Sequence, residues 1–476
     1  MRVVVIGAGV VGVTTAYYLG KAGHQVTVVE KEPEAATLAS AGNAGLIAPG
    51  HSFAWASPTA PKELLRSLTV EDTALRVNPF KAPGMAVWGL RFLRECNAER
   101  AVKNTLVKLR LAQYSQRMLD QIAADERIDY DDIHEGILYL YRDPKRFEAG
   151  IKKMKLVQEH GQKQDVLDAD GVVEAEPFLA PVKHKLAGAI YGVTDSSGDS
   201  VMFTHKLQAV CERMGSKFLF GKGVVRLATN GGKVRAAMLH GGESVDGEVF
   251  VLSAGVQSPR VARTVGVRLP IAPAKGYSAT FPVKRNGGPE MRVGAVDEEL
   301  LVAWCRIGDR LRMTSSAEFT GYETTYTEHD LRLIRKLAND LLPDAAEYDK
   351  GTYRACNRPM TPDGPPILGQ AGPDNLYINS GHGPHGVHDG ERLEPHRRGP
   401  HRRQEAGHPR RGIDTDLATL SRLRSPGTRR RQANLRRPRP SLRSRRPPPS
   451  SRGRRRRRRS RRALQSCPGA SGPRRL

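Results

Sequence analysis

The sequence predicts an α/β protein: a Rossmann-type dinucleotide-binding domain, an α+β domain interleaved with it, and an arginine-rich tail. Three observations lead there. The β-branched run Val3–Ile6 passes into Gly7-Ala-Gly-Val-Val-Gly12 and a helical stretch. A second β-branched run, Gln25–Val29, ends on the acid Glu30. Charge is segregated: of a formal +26, residues 391–476 carry 29 Arg, no Lys and five acids, while residues 1–390 keep 47 basic against 45 acidic groups.

The opening element is a short apolar run without alternation, as expected of a parallel strand buried on both faces. Four glycines interrupt Val3–Gly20 and a second strand follows at once, which argues against a spanning helix or a cleaved signal. Strand, G-x-G-x-x-G, helix, strand and acid in that order form a dinucleotide-binding βαβ unit. Gly7 permits the tight turn, Gly9 lets backbone amides approach a pyrophosphate, and Gly12 lets the helix pack against the sheet. The helix N-terminus favours the phosphates, and Glu30 can accept ribose hydroxyls and repel a 2′-phosphate. The motif alone does not separate NAD from FAD.

Further along, Ser40–Gly50 is a loop of small residues suited to lie against a flat ligand, or equally a surface loop. Gly247–Gly255 and Asn375–Gly386 each read as a strand running into a glycine turn, and Tyr353–Pro366 as an extended, proline-fixed segment with two arginines. Five dispersed cysteines without a C-x-x-C pair point to a reducing compartment and to no disulfide framework or zinc site. No metal-ligand cluster and no Ser/His/Asp arrangement stands out.

Val3–Glu30, Asn43-Ala-Gly45, Glu95-Cys-Asn97, Gln113-Tyr-Ser115, Phe203-Thr204, Lys275-Gly-Tyr277, Ala317–Tyr322, Arg358–Gly364 and Gly381-His-Gly383 occur in one order across residues 1–386. In these segments the chain resembles the FAD-dependent amine and amino-acid oxidoreductases that include D-amino acid oxidase and glycine oxidase, and among them the small subunits of bacterial D-amino acid dehydrogenases. The resemblance implies FAD as cofactor, with Val3, Gly7, Ala8, Gly9, Val10, Val11, Gly12, Glu30 and Lys31 around its ADP half and Val224 and Val225 near the adenine. It also implies Ser40, Asn43 and Gly45 near flavin and diphosphate, and Gly255, Gly381, His382, Gly383 and Gly386 approaching from later in the chain.

The implied reaction is oxidative deamination of a D-amino acid to a 2-oxo acid and ammonia, with hydride leaving Cα for flavin N5 and electrons passing to a quinone or another acceptor. Such chemistry asks the protein for orientation of Cα. Arg358, matching the arginine of an R-P-x-T-x-D-G segment, is the candidate carboxylate fork; a structural arginine bonding loop carbonyls is the alternative. Tyr277 and Arg306 are further carboxylate candidates, each also readable as a core tyrosine and a strand-end charge. His382 is a candidate flavin contact. Two other functions stay open: an oxygen-using glycine or sarcosine-type amine oxidase, and an inactive flavin fold with a nucleic-acid-binding tail.

Between these motifs, residues 60–130 have helical spacing, clearest over Val102–Ala123. Ile137–Tyr141, Ala189–Tyr191, Ser278–Phe281 and Leu311–Thr314 read as strands, which the resemblance places in a mixed or antiparallel sheet over the flavin. The expected FAD-binding domain is therefore discontinuous, 1–60, 200–270 and 350–386, with a substrate domain of 61–199 and 271–349. The composition favours a cytoplasmic enzyme, with peripheral contact to the inner face of the plasma membrane as the membrane reading.

Residues 391–476 lack Phe, Trp and Tyr, and only 15 of the 86 are Ala, Val, Ile, Leu, Met or Cys. Such a segment, counted here as the tail 387–476, is expected to be disordered. One reading is a phosphate-seeking arm released by salt. The other, favoured by the absence of lysine and by the loss of the expected helix after Gly386, is a GC-rich gene read out of frame. No specific nucleic acid is expected.

Overall fold

The computed structural model describes residues 1–67, 74–77, 85–285 and 287–383. The expectations for Gly386 and for the tail 387–476 lie outside the described residues. Two large sheets dominate the rest.

The first has six strands, in the order Ile367–Gln370, Leu376–Ser380, Val249–Leu252, β1 (Arg2–Ile6), β2 (Gln25–Val29) and Lys217–Leu219. All pairings are parallel except that of Ile367–Gln370. Val3 sits between Val26 and Val249, which fixes the register at the sheet centre. Parallel strands are covered on both faces, and β1 shows it. Val3 and Val5 pack with Val13 and Tyr17 of α1 (Val10–Lys21) and with Phe203 and Leu207 of the helix Ser200–Arg213. Val4 and Ile6 pack on the other face with Phe250, Leu252, Leu227 and Leu239. Leu227 and Leu239 come from a three-stranded antiparallel layer, Val224–Asn230, Lys233–Leu239 and Ser244–Asp246.

The second sheet runs Thr352–Met360, Ala272–Pro282, Arg310–Phe319, Val302–Ile307, Gly294–Asp297, Ile137–Tyr141, Gly188–Gly192 and Asp165–Leu167, with Leu75–Val77 also on Arg310–Phe319. It is mixed: the pairings of Gly294–Asp297 with Ile137–Tyr141 and of Leu75–Val77 are parallel, the others antiparallel. One face is the larger core, where Tyr277, Trp304, Leu311 and Met313 meet Leu333, Ile334, Leu337 and Leu341 of the helix Arg332–Leu341. The other face fronts a cavity shared with the first sheet.

Helices connect the two. Ala98–Glu126 starts where the Asn97 side chain accepts the Arg100 amide and stops at Arg127, left-handed at φ 53°. Its buried residues recur at helical spacing, and Leu119 and Ile122 extend the core of the first sheet. The sheets interleave in sequence. Thr352–Met360, expected with the dinucleotide-binding domain, pairs with Ala272–Pro282 along the edge of the second sheet.

Candidate active site

The cavity has a volume of about 1840 Å³ and runs from the G-x-G-x-x-G turn to the second sheet. Small-ligand sites usually span roughly 300–1,000 Å³, so this one has room for a dinucleotide and a small substrate together.

At the nucleotide end, geometry explains the glycines. Gly7 has φ +108°, and a Cβ there would lie 2.6 Å from the Ser253 carbonyl oxygen. A Cβ on Gly12 would fall 1.8 Å from the Gly7 carbonyl oxygen, so no other residue lets α1 start this close to β1. Gly9 caps α1 with extended backbone and no side-chain hydrogen bond. The Ser40 hydroxyl accepts the Val10 amide at 3.1 Å. The Glu30 carboxylate accepts the Ala8 amide at 2.7 Å and the Glu32 amide at 3.0 Å, which fixes its orientation toward the cavity.

Of the residues expected at the cofactor, Gly7, Gly9, Val10, Val11, Glu30, Lys31, Ser40, Asn43, Val224, Val225, Gly255, His382 and Gly383 line this one cavity. Val3, Ala8, Gly12, Gly45 and Gly381 do not. Val3 and Ala8 are buried in the core, Gly12 faces the turn, and Gly45 (φ +74°) is enclosed by Cys305 and Gly198. Gly381 (φ +90°) turns the chain into the wall ahead of His382.

Three wall residues carry buried oxygens without a hydrogen-bond partner among the described residues, Ser253 Oγ, Asn357 Oδ1 and Asn379 Oδ1. Such atoms are costly to leave bare. Together with the N-terminal end of α1 they fit a large polar ligand such as FAD.

The loop from Ser40 is held from behind. Asn43 donates to the Ser40 carbonyl (3.0 Å) and to Ser200 Oγ (2.8 Å), and accepts the Gly45 amide. Arg312, from the second sheet, donates to the carbonyls of Ala41 (2.8 Å) and Asn43 (3.3 Å). Burial lowers the pKa of this guanidinium. Nothing in the sequence marked Arg312: it lies inside a run readable only as a strand, and its partners are some 270 residues away.

At the opposite end Arg358 lines the cavity. Its Nη1 donates to the Ser316 carbonyl at 2.5 Å, and among the described residues no carboxylate pairs with it. Burial lowers its pKa, a cost that an incoming carboxylate would offset.

Tyr277 and Arg306 are not brought to Arg358. Strand alternation puts Tyr277 on the face with Trp304, where its hydroxyl donates to Glu318 at 2.7 Å. Burial and Glu318 raise its pKa. Arg306 shares the strand face of Trp304, while Ala303 lines the cavity and Cys305 donates to the Ala44 carbonyl. Arg306 itself bonds the Gly308 carbonyl and pairs with Glu290.

Four wall residues, His51, Phe53, Lys153 and Glu298, had no sequence signal. His51 pairs with Glu298 at 2.7 Å, its ring stacked on Tyr139, and the Lys153 ammonium lies 4.0 Å from the Phe53 ring centre. Beneath them the Tyr139 hydroxyl donates to Asp195 at 2.6 Å, and Asp195 also accepts the Gly50 amide. Among the described residues no group of His, Cys, Asp and Glu could hold a metal ion.

Comparison with known proteins agrees with this geometry. The family model described as FAD dependent oxidoreductase matches residues 2–389. "D-amino acid dehydrogenase 2" of Mesorhizobium japonicum is 43% identical over 385 residues, 80% of this chain and 92% of that protein. A D-amino acid dehydrogenase of Paramagnetospirillum magneticum is 40% identical over 385 residues, 80% of this chain and 90% of that protein. Among solved structures, glycine oxidase from Geobacillus kaustophilus superposes with a TM-score of 0.64 at 19% identity, covering 82% of this chain and 91% of that one, a likeness of fold. With glycine turn, acid, cavity and family match in agreement over residues 2–389, the chain belongs to the FAD dependent oxidoreductases.

Proposed function

We propose that the chain oxidises D-amino acids to 2-oxo acids and ammonia. The observation that carries this reading is Arg358: a guanidinium in the wall of the cofactor cavity, bonded to a carbonyl and, among the described residues, to no carboxylate. Its planar fork matches the α-carboxylate of an amino acid in two parallel hydrogen bonds. Such a clamp fixes Cα, and orientation is the main service a protein renders to hydride transfer. Bound FAD would supply the two-electron acceptor; Gly7, Gly9, Val10, Glu30, Ser40, Asn43, Val224 and Val225 would hold it. The relatives named as D-amino acid dehydrogenases support the D configuration.

The test is Arg358→Met in the FAD-loaded protein with D-alanine. Losing a charged hydrogen-bonded partner costs about 2–5 kcal/mol, so kcat/KM should fall by a factor on the order of 30 to several thousand, mainly through KM, with FAD retained. An unchanged KM would sink the reading.

For the electrons we infer a lipid-held quinone acceptor and peripheral contact with an anionic membrane. Among the described residues no helix is long and apolar enough to cross a membrane. The cavity reaches the helices Ala60–Arg66 and Ala86–Glu95, lined there by Leu64, Trp88, Phe92 and Leu93. Leu65, Val87, Leu90 and Leu93 stand exposed on those helices, beside Lys62, Arg66, Arg91 and Arg94. An apolar strip with basic residues suits an interfacial helix. D-alanine should reduce quinone in anionic vesicles faster than it yields hydrogen peroxide in air; the reverse ratio would favour an amine oxidase.

A further inference from the structure

The strand Arg310–Phe319 carries one extra residue opposite Ala272–Pro282: Lys275 pairs with Glu318, but Tyr277 pairs with Ser315, so Ser316 and Ala317 together face Gly276. Such a bulge re-aims the local backbone. Ser316 absorbs it, buried and with φ +63°, a conformation unfavourable for a residue with a Cβ. At the same place the strand changes neighbour. Its last pairing with Val302–Ile307 is at Thr314, and from Ala317 onward it pairs with Leu75–Val77.

The bulge coincides with a bare α-carbon. A Cβ on Gly276 would lie 2.4 Å from Arg358 Nη1 and 2.5 Å from Cζ and Nη2. The guanidinium therefore rests directly against Gly276, while Nη1 donates to the carbonyl of Ser316. Arg358 reaches this seat from the opposite neighbouring strand, where Cys356 pairs with Gly276.

We propose that Gly276 and the Ser316 bulge are positioning residues for the substrate carboxylate: the glycine provides a floor under the guanidinium, and the bulged carbonyl sets its rotation. The strain at Ser316 is then retained for aim, as strained backbone at functional sites often is. The inference rests on the reading of Arg358 as the carboxylate partner, and it deepens that reading.

Three variants of the FAD-loaded full chain test it: Gly276→Ala, Ser316→Val and Ser316→Gly. FAD content and Tm are checked first. Steady-state kinetics with D-alanine then gives KM and kcat. Binding of D-lactate, which keeps the carboxylate but lacks the amine, is followed by the flavin absorbance change.

Gly276→Ala should raise KM for D-alanine and Kd for D-lactate at least tenfold in parallel, with kcat at saturation within threefold of wild type. Ser316→Val, the least tolerated type at positive φ, should do the same. Ser316→Gly keeps the carbonyl and relieves the φ, so it should bind within twofold of wild type. Should Gly276→Ala fold poorly, the contrast between Ser316→Val and Ser316→Gly decides alone. If Arg358→Met raises KM while Gly276→Ala and Ser316→Val do not, the seat is overturned and the role of Arg358 stands. If Arg358→Met also leaves KM unchanged, both fall. A fall in kcat with KM unmoved would likewise overturn the positioning role.

Discussion

The two ends of the cavity are built on different principles. The nucleotide end is mostly backbone: three glycines, the amides at the start of α1, and an acid 18 residues after Gly12. The proposed carboxylate end is one side chain, that of Arg358, seated on the backbone of two other strands, at Gly276 and at the Ser316 carbonyl. A backbone site tolerates no added atom at its turns. A side-chain site depends on what lies beneath each functional group.

The sharpest way to break the first end is Gly12→Ala. The added Cβ would lie 1.8 Å from the Gly7 carbonyl oxygen and 2.9 Å from its carbon, backbone atoms that cannot swing aside as a flexible side chain would. Overpacking a well-packed site costs about 1–3 kcal/mol, occasionally more, and here it also separates α1 from the turn. The variant should purify without flavin and with Tm lowered by several degrees; a yellow, equally stable variant would refute this account. Removing the proposed carboxylate fork should leave the cradle intact, so Arg358→Met should stay yellow while its KM for D-alanine rises. That contrast separates the two ends experimentally.

A smaller effect lies between them. Arg312 belongs to the second sheet yet holds the Ala41 and Asn43 carbonyls of the loop that carries Ser40. Hydrogen bonds to charged groups contribute about 1.5–3 kcal/mol. Arg312→Met should therefore weaken FAD binding roughly tenfold or somewhat more, measured by flavin release on dilution, with Arg312→Lys recovering part of it. Equal retention of FAD in Arg312→Met would show that the loop is fixed without the second sheet.

These differences govern what could be read from the chain. β1, α1, β2 and Glu30 are legible because the motif is local: each residue's task is set by neighbours within thirty positions. Ile137–Tyr141 was legible as a strand from its apolar run, whereas Arg358 became a candidate through the resemblance of its R-P-x-T-x-D-G segment to the family's. Tyr277 and Arg306 read as substrate contacts, yet sit on the far face of their strands. Period-2 alternation tells which residues share a face but not which face meets the cavity. Arg312, Ser316 and the His51–Glu298 pair gave no signal, because a bulge or a partner some 250 residues away leaves no mark in local pattern. The charge asymmetry was a sound guide to extent: the family match ends at residue 389, just before the arginine-rich stretch.

The smallest effect concerns the support beneath the cavity wall, at Asp195. Its carboxylate accepts the Tyr139 hydroxyl, the Gly50 amide and a Gln162 amide. Those donors favour the charged form, but burial dominates and pushes the pKa up to about 7. In the unfolded chain an aspartate titrates near 4, so between these values the folded protein binds the extra proton. Stability from this group is full below about pH 4 and is lost as pH rises through 7, by at most about 1.4 kcal/mol per pH unit in that window. Asp195→Asn cannot ionise and keeps a carbonyl for Gly50. It should therefore flatten the fall in Tm between pH 5 and pH 8, its stability relative to wild type improving as pH rises. Parallel Tm curves for the two proteins would show that the three donors, rather than burial, set the charge of Asp195.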